Sequence, residues 1–246
     1  MYRFTIILIF GLALLVFILL FFISAPYGKF TRKGWGTSVK AKIAWMIMEF
    51  PSPALMIVFF FSSDKKSLPL LIFILLWLAH YVHRTFIYPF RQSGRNKSYP
   101  LLLVAFAFCF NCMNGYVNGY GVFHYYSYDI SWLLSWKFIA GILIFLTGFT
   151  INKISDEKLR KLRKSGAGDY VIPTGWLFNS ISCPHYFGEI IEWGGWAIMT
   201  WTLPGLAFFV FTFANLFPRA LSSHKWYKLK FKDYPSSRKA IIPFVV

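Results

Sequence analysis

Long apolar runs separated by short polar segments fill nearly the whole chain. A membrane-spanning helix needs about 20 predominantly apolar residues. Such runs occupy roughly 4–23, 43–61, 68–88, 99–118 and 132–151, with two shorter ones at 186–201 and 203–217. The pattern predicts an all-α polytopic membrane protein with seven transmembrane helices. The last two runs share the turn around Pro204 and read as a helical hairpin. Pro51 and Pro53 lie inside the second run and are expected to kink or break it. The first run is too long for a signal-peptide core and is kept as a helix. No repeat or linker divides the chain, so residues 1–246 are expected to form a single membrane-embedded domain.

Composition agrees: 57% hydrophobic, 22% aromatic and 14% charged residues exclude an ordinary soluble domain. Twenty-one of the 26 basic residues fall in segments 27–42, 89–98, 152–170 and the tail from 218. These segments alternate along the chain, so they share one side of the membrane. Positive loops face the cytoplasm, which predicts an outside N-terminus and a cytoplasmic C-terminus. The net charge of +17 first reports this topology and only second an anionic ligand. Nothing reads as a nucleic-acid module. Cys109 and Cys112 form a CxxC with no second pair and read as packing cysteines, so neither a disulfide framework nor a metal site is expected.

Polar groups at membrane depth are costly and tend to face a partner or a wet cavity. This chain places Glu49, His80, Arg84, Asn111, Asn114, Asn152, Asp156, Glu189 and Glu192 inside or at the edges of apolar runs. That number favours an enzyme or transporter over a passive anchor. A neutral Glu49 is able to donate a hydrogen bond to a substrate oxygen; the alternative is a polar packing residue. His80, His83 and Arg84 share one helical face. With five histidines in the chain, hydrogen-bonded packing groups are the competing reading, and a metal centre is not expected.

Asn152, Asp156 and Arg163 fall within about 40° of one another on a helix. An amide, an acid and a guanidinium on one stripe can grip a sugar hydroxyl and a phosphate. A basic helix end touching lipid headgroups is the alternative. Ser182 or Cys183 can cap a helix with Pro184 in its first turn, and His185, Glu189 and Glu192 then share a face. The segment from Phe231 to Phe244 is too rich in aromatics for a disordered tail. Glycine-rich nucleotide motifs on a strand–helix unit are absent, so a nucleotide would bind between helices and loops.

Five blocks carry a resemblance: His80 to Phe86, the run from Ile151 to Lys164, Tyr170 to Phe178, Gly188 to Ala207, and Phe231 to Phe244. Together they resemble the steroid 5α-reductase (3-oxo-5α-steroid 4-dehydrogenase) family, most nearly its type 2 branch. The resemblance implies a seven-helix reductase that uses NADPH to reduce the Δ4 double bond of 3-oxo-Δ4 steroids such as testosterone or progesterone. It implies Glu49 and Tyr81 as the pair that holds the substrate ketone. It implies Asn152, Asp156, Arg163, Tyr170, Glu189, Arg219 and Tyr227 at the cofactor. Arg95 and Lys97 lie near a basic family position in a loop of different length. His185 stands where the type 2 branch has Asn. Ser223 stands where it has His, with His224 next, so His185 and His224 are both cofactor-side candidates.

Implied surroundings are an apolar steroid entering from the lipid, membrane lipid, and neither nucleic acid nor an obligate protein partner. The membrane would be endoplasmic reticulum in a eukaryote and the inner membrane in a bacterium. Related reductases of polyprenals or enoyl thioesters would keep the same tail and cofactor stripe. An isoprenylcysteine methyltransferase would share the C-terminal architecture but bind S-adenosylmethionine. A transporter would often show inverted repeats, and none is seen. The tail is expected to cover an anionic nucleotide; the alternative is a segment lying on anionic headgroups.

Overall fold

The computed structural model describes residues 1–26, 28–32, 34–91, 98–165 and 170–246, without the side chains of 163–165. Among them, six helical stretches are long and apolar enough to cross a membrane. The first, α1 (Tyr2–Phe22), has a mean hydropathy of 3.2 and leaves Phe4, Leu14 and Phe22 exposed. At about 1.5 Å per residue it spans a hydrocarbon core of about 30 Å. A short antiparallel pair, β1 (Ser38–Lys40) with β2 (Ser98–Pro100), sets Ser38 opposite Pro100. It ties the start of α2 (Ala41–Glu49) to the start of α6 (Leu101–Tyr120).

The expected break in the second span falls at Phe50. There α2 ends, and α3 (Pro51–Ser62) begins with proline in its first turn, where a missing N–H costs nothing. Pro51 and Pro53 are buried. The joint leaves Glu49 at a helix end, where Asn111 Nδ2 donates to Met48 O at 2.8 Å. α4 (Leu68–Val82) passes through a π-helical stretch (His83–Ile87) into α5 (Tyr88–Arg91). Such wide turns recur at functional sites.

Two helices run further than hydropathy indicates. α7 (Trp136–Ser165) carries the basic segment after Ile151 as helix, and α9 (Leu203–Lys230) continues far past 217. Arg219, His224 and Tyr227 therefore sit on a helix and not in a tail. The cause is amphipathicity: Leu216, Ala220, Ser223 and Tyr227 are buried at helical spacing while lysines occupy the other face. Between them, α8 (Pro184–Thr200) turns into α9 at Trp201 and Thr202, where Thr202 Oγ1 accepts from Gly205 N–H at 3.1 Å. The predicted hairpin is thus present.

α7 and α8 touch backbone to backbone. A Cβ at Gly141 or Gly148 would collide with the backbone of Met199 or Glu192, and one at Gly188 or Gly195 with that of Asn152 or Phe145. Each helix spaces its two glycines seven residues apart, so they line one face. Close approach through small residues is the usual route to tight packing in lipid. Beside this seam Trp77, Trp193, Trp196, Phe73 and Phe145 form a fully buried aromatic core. Trp77 lies 4.9 Å from Trp196 and 5.1 Å from Trp193, ring centre to ring centre.

Candidate functional site

The aromatic core presents Tyr81. Its ring stacks on Trp77 at 5.1 Å and leans on Trp193 at 5.8 Å. One residue earlier, His80 Nδ1 meets Glu192 Oε1 at 2.7 Å, with both side chains buried. One turn later, Arg84 lies between two carboxylates: its Nε is 3.5 Å from Glu49 Oε1 and its Nη2 is 3.6 Å from Glu189 Oε1. Arg84 also lies over the Trp45 ring at 4.9 Å. Residues from α2, α4 and α8 therefore converge at one deep end. The charges there are mutually compensated, as burial requires.

The α7 stripe divides. Asp156 lines the central cavity. Asn152 is buried against α8, where its Nδ2 donates to His185 O at 3.0 Å and to Glu189 Oε2 at 3.3 Å. It thus fixes Glu189 from behind and is not part of the cavity wall. The backbone of Arg163 continues the same helix. Arg95 and Lys97 lie outside the described residues. Lys153 Nζ donates to His83 Nδ1 at 3.0 Å, and both line the cavity, a pair the sequence reading missed. A lysine directly after Asn152 at the edge of an apolar run was the available signal.

At the opposite, basic end Arg219 Nη2 donates to Tyr186 Oη at 3.3 Å. Tyr170 packs on Trp226 at 5.1 Å, and Lys29 Nζ lies over the rings of Trp226 and Tyr227 at 4.7 and 4.4 Å. Tyr227 stacks on Tyr234 at 5.5 Å, which joins α9 to the tail. The tail is pinned by Ser182 N–H to Lys239 O at 2.8 Å and Lys239 N–H to Ser180 O at 2.9 Å. Ser182 Oγ meets Tyr234 Oη and His224 Nδ1, each at 2.6 Å. His224 is thereby directed at Ser182 and Tyr234, while Ser223 lines the cavity. Burial raises the Tyr234 phenol above its ordinary value, so it serves as a neutral hydroxyl. Arg238 is buried over the Tyr234 ring, with Nε and Nη1 lacking hydrogen-bond partners among the described residues.

One cavity of about 1110 Å³ joins the two ends. Glu49, Tyr81, His80 and Arg84 line its deep end; Lys29, Arg219, Tyr170 and Tyr227 line its basic end; His185 and Glu189 also line it. Pockets for one small ligand measure roughly 300–1,000 Å³, so this space suits two ligands in series. The deep end offers the Tyr81 phenol with the Glu49 carboxyl, paired to Arg84, beside it. Those groups can hold a carbonyl oxygen and stabilise negative charge developing on it.

The family model described as 3-oxo-5-alpha-steroid 4-dehydrogenase matches residues 97–246. The chain is 47% identical to steroid 5-alpha-reductase DET2 of Arabidopsis thaliana, over 93% of this chain and 90% of that protein. It is 40% identical to 3-oxo-5-alpha-steroid 4-dehydrogenase 1 of Homo sapiens, over 90% and 86%. Glu49 and Tyr81 precede the family-model match. They fall inside the similarity to the DET2 protein of Gossypium hirsutum, 43% identical over 100% of this chain and 97% of that one. With the model covering more than half of the chain and such relatives covering most of it, the chain belongs to the 3-oxo-5-alpha-steroid 4-dehydrogenase, or steroid 5α-reductase, family.

Proposed function

We propose that this protein reduces the Δ4 carbon–carbon double bond of 3-oxo-Δ4 steroids to 5α products, with NADPH as reductant. The observation that carries this reading is a continuous cavity with a charge-compensated deep end and a cationic, aromatic-lined basic end. The basic end fits a dinucleotide: Lys29, Lys158, Lys161 and Arg219 line it, matching several phosphates, and Tyr170 and Tyr227 offer ring faces. Asp156, Glu189 and His185 supply acceptors and donors for ribose and amide groups. Arg163 and Arg95 join this set on the family resemblance. When bound, NADPH supplies a hydride.

This chain's residues do the rest. Tyr81, with Glu49 beside it in the cavity, holds the ketone oxygen and stabilises the enolate that forms as the β-carbon is reduced. Losing one such donor costs about 2.7–4 kcal/mol of transition-state stabilisation. Arg84 keeps Glu49 and Glu189 at a fixed separation, which links the substrate and cofactor ends. Trp193 walls the substrate end, and Trp77 packs behind it and Tyr81.

The topology in this reading has seven spans, with α8 the sixth, the N-terminus outside and the basic end cytoplasmic. The membrane is endoplasmic reticulum in a eukaryotic host and the inner membrane in a bacterial one. The steroid enters from the lipid. α1 and α6 pack where Ile6 and Ile9 meet Val117, and further along Val16, Leu20, Leu103 and Phe106 line the cavity. Phe106 is 62% exposed, so the cavity wall there is also lipid-facing surface. The test is NADPH consumption by purified protein in detergent. Testosterone should start it, and its 5α-saturated counterpart should not. Equal consumption with both, or none with any enone, contradicts the assignment.

A further inference from the structure

We propose that the His80–Glu192 dyad, and not bulk water, delivers the proton that completes the reduction: His80 is the donor to the substrate's α-carbon, and Glu192 is the acid behind it. The inference rests on the enone-reductase reading above. Adding hydride to the β-carbon leaves an enolate whose α-carbon must still take a proton. That carbon is bonded to the carbonyl carbon whose oxygen Tyr81 holds. His80 precedes Tyr81 in the chain, lines the same cavity, and its ring lies 5.0 Å from the Tyr81 ring. Nδ1 is engaged by Glu192 at 2.7 Å, which leaves Nε2 as the ring atom available to the cavity.

Glu192 is 0% exposed, and its Oε2 lacks a hydrogen-bond partner among the described residues. An ionised carboxylate with one orphaned oxygen in such a place is costly. A neutral carboxyl that donates its proton from Oε1 to Nδ1 carries no charge to desolvate and gives Nδ1 its partner. The groups facing the dyad are Lys153, Glu189, Arg84 and His83. Neighbouring structural duties fall to other residues: Asn152 and Arg84 engage Glu189, and the α7–α8 seam closes through glycine.

The step balances. The Nε2–H bond breaks as the α-carbon–H bond forms with the enolate's electron pair. Nδ1 takes the proton of Glu192 Oε1. The dyad is left as a neutral imidazole, now protonated at Nδ1, and a carboxylate near the Lys153 ammonium. One proton from water in the cavity reloads it. Each turnover consumes one hydride from NADPH and one proton.

The test runs the reaction in heavy water and locates solvent deuterium on the product's α-carbon by NMR. The wild type should label a single face. Glu192→Gln keeps the volume and a hydrogen bond to Nδ1 but has no acid to give. It should bind NADPH as the wild type does, turn over about 100-fold more slowly, and label both faces as water protonates the freed enolate. If that variant does not fold, His80→Gln decides, since it keeps an amide beside Glu192 and removes the ring proton. Wild-type rate with single-face labelling in the variant overturns the proposal. So does slow turnover with the label still on one face, because the pair would then only support the fold. A wild type that reduces no enone fails the underlying reading instead.

Discussion

The deep and basic ends of the cavity handle charge in opposite ways. At the deep end the ionisable groups are partnered across helices: Arg84 lies between Glu49 and Glu189, and His80 is hydrogen-bonded to Glu192. At the basic end Lys29 and Arg219 rest against aromatic rings, and the acids are few. A site that must receive a neutral, apolar molecule at membrane depth has to settle its own charges. A site for several phosphates gains from an excess of cations over acids. The contrast supports the proposed assignment of the ends to different ligands more directly than any one residue does.

The strongest way to break this comparison is at the deep end. Tyr81→Phe and Glu49→Gln should each lower turnover by about 10²–10³-fold while NADPH affinity stays at the wild-type value. Steady-state rates with testosterone and calorimetry with NADPH check the two halves. Near-wild-type rates in both variants would remove the pair from the chemistry.

Next in size is the tail. Removing residues 232–246 takes away Tyr234 and the Lys239 backbone pairing to Ser180 and Ser182. NADPH affinity in lipid-free neutral detergent should fall roughly 100-fold, about 2.7 kcal/mol, and bound NADPH should protect the intact tail from protease. A folded truncated protein with full affinity would make the tail a membrane-surface segment.

A smaller effect sharpens the basic end alone. Arg219→Ala should weaken NADPH about tenfold without changing the ketone side, and added salt should narrow the gap between variant and wild type. Titration at two ionic strengths reads both. The frame that carries both ends is tested through stability and not through affinity. Gly148→Ala forces a methyl into the backbone of Glu192 and should destabilise the fold by about 1–3 kcal/mol. Thermal unfolding in detergent measures it; an unchanged midpoint would mean that α7 and α8 are less closely seated.

Much of this frame was legible in the amino-acid pattern. The apolar runs located the spans, Pro51 and Pro53 marked the joint beside Glu49, and the aromatic tail announced its own order. The helical stripe past Ile151 was legible, but the end of α9 was misjudged because hydropathy falls where a helix leaves the apolar layer, while its buried face continues. Leu216, Ala220, Ser223 and Tyr227 carried that information in their spacing. The seven-residue glycine spacing on α7 and α8 was equally open to view and went unread. His80, His83, Lys153 and Glu192 stood out as polar groups in or beside apolar runs, but their pairing as His80–Glu192 and Lys153–His83 was not legible. Each joins residues far apart in sequence, and only the way α4 packs against α7 and α8 brings them together. Likewise His224 matched a family position by adjacency, and the helix phase of α9 gave the cavity to Ser223 instead.

The central claim is that the deep end holds a ketone while hydride reaches the carbon two bonds beyond it. The most direct test uses NADPH deuterated at its hydride-donating carbon, with testosterone as substrate and the product examined by mass and NMR. The account predicts one deuterium, on the former β-carbon of the enone, with the 3-ketone intact. Deuterium on the carbonyl carbon, in a product that is an alcohol with its double bond retained, would contradict it.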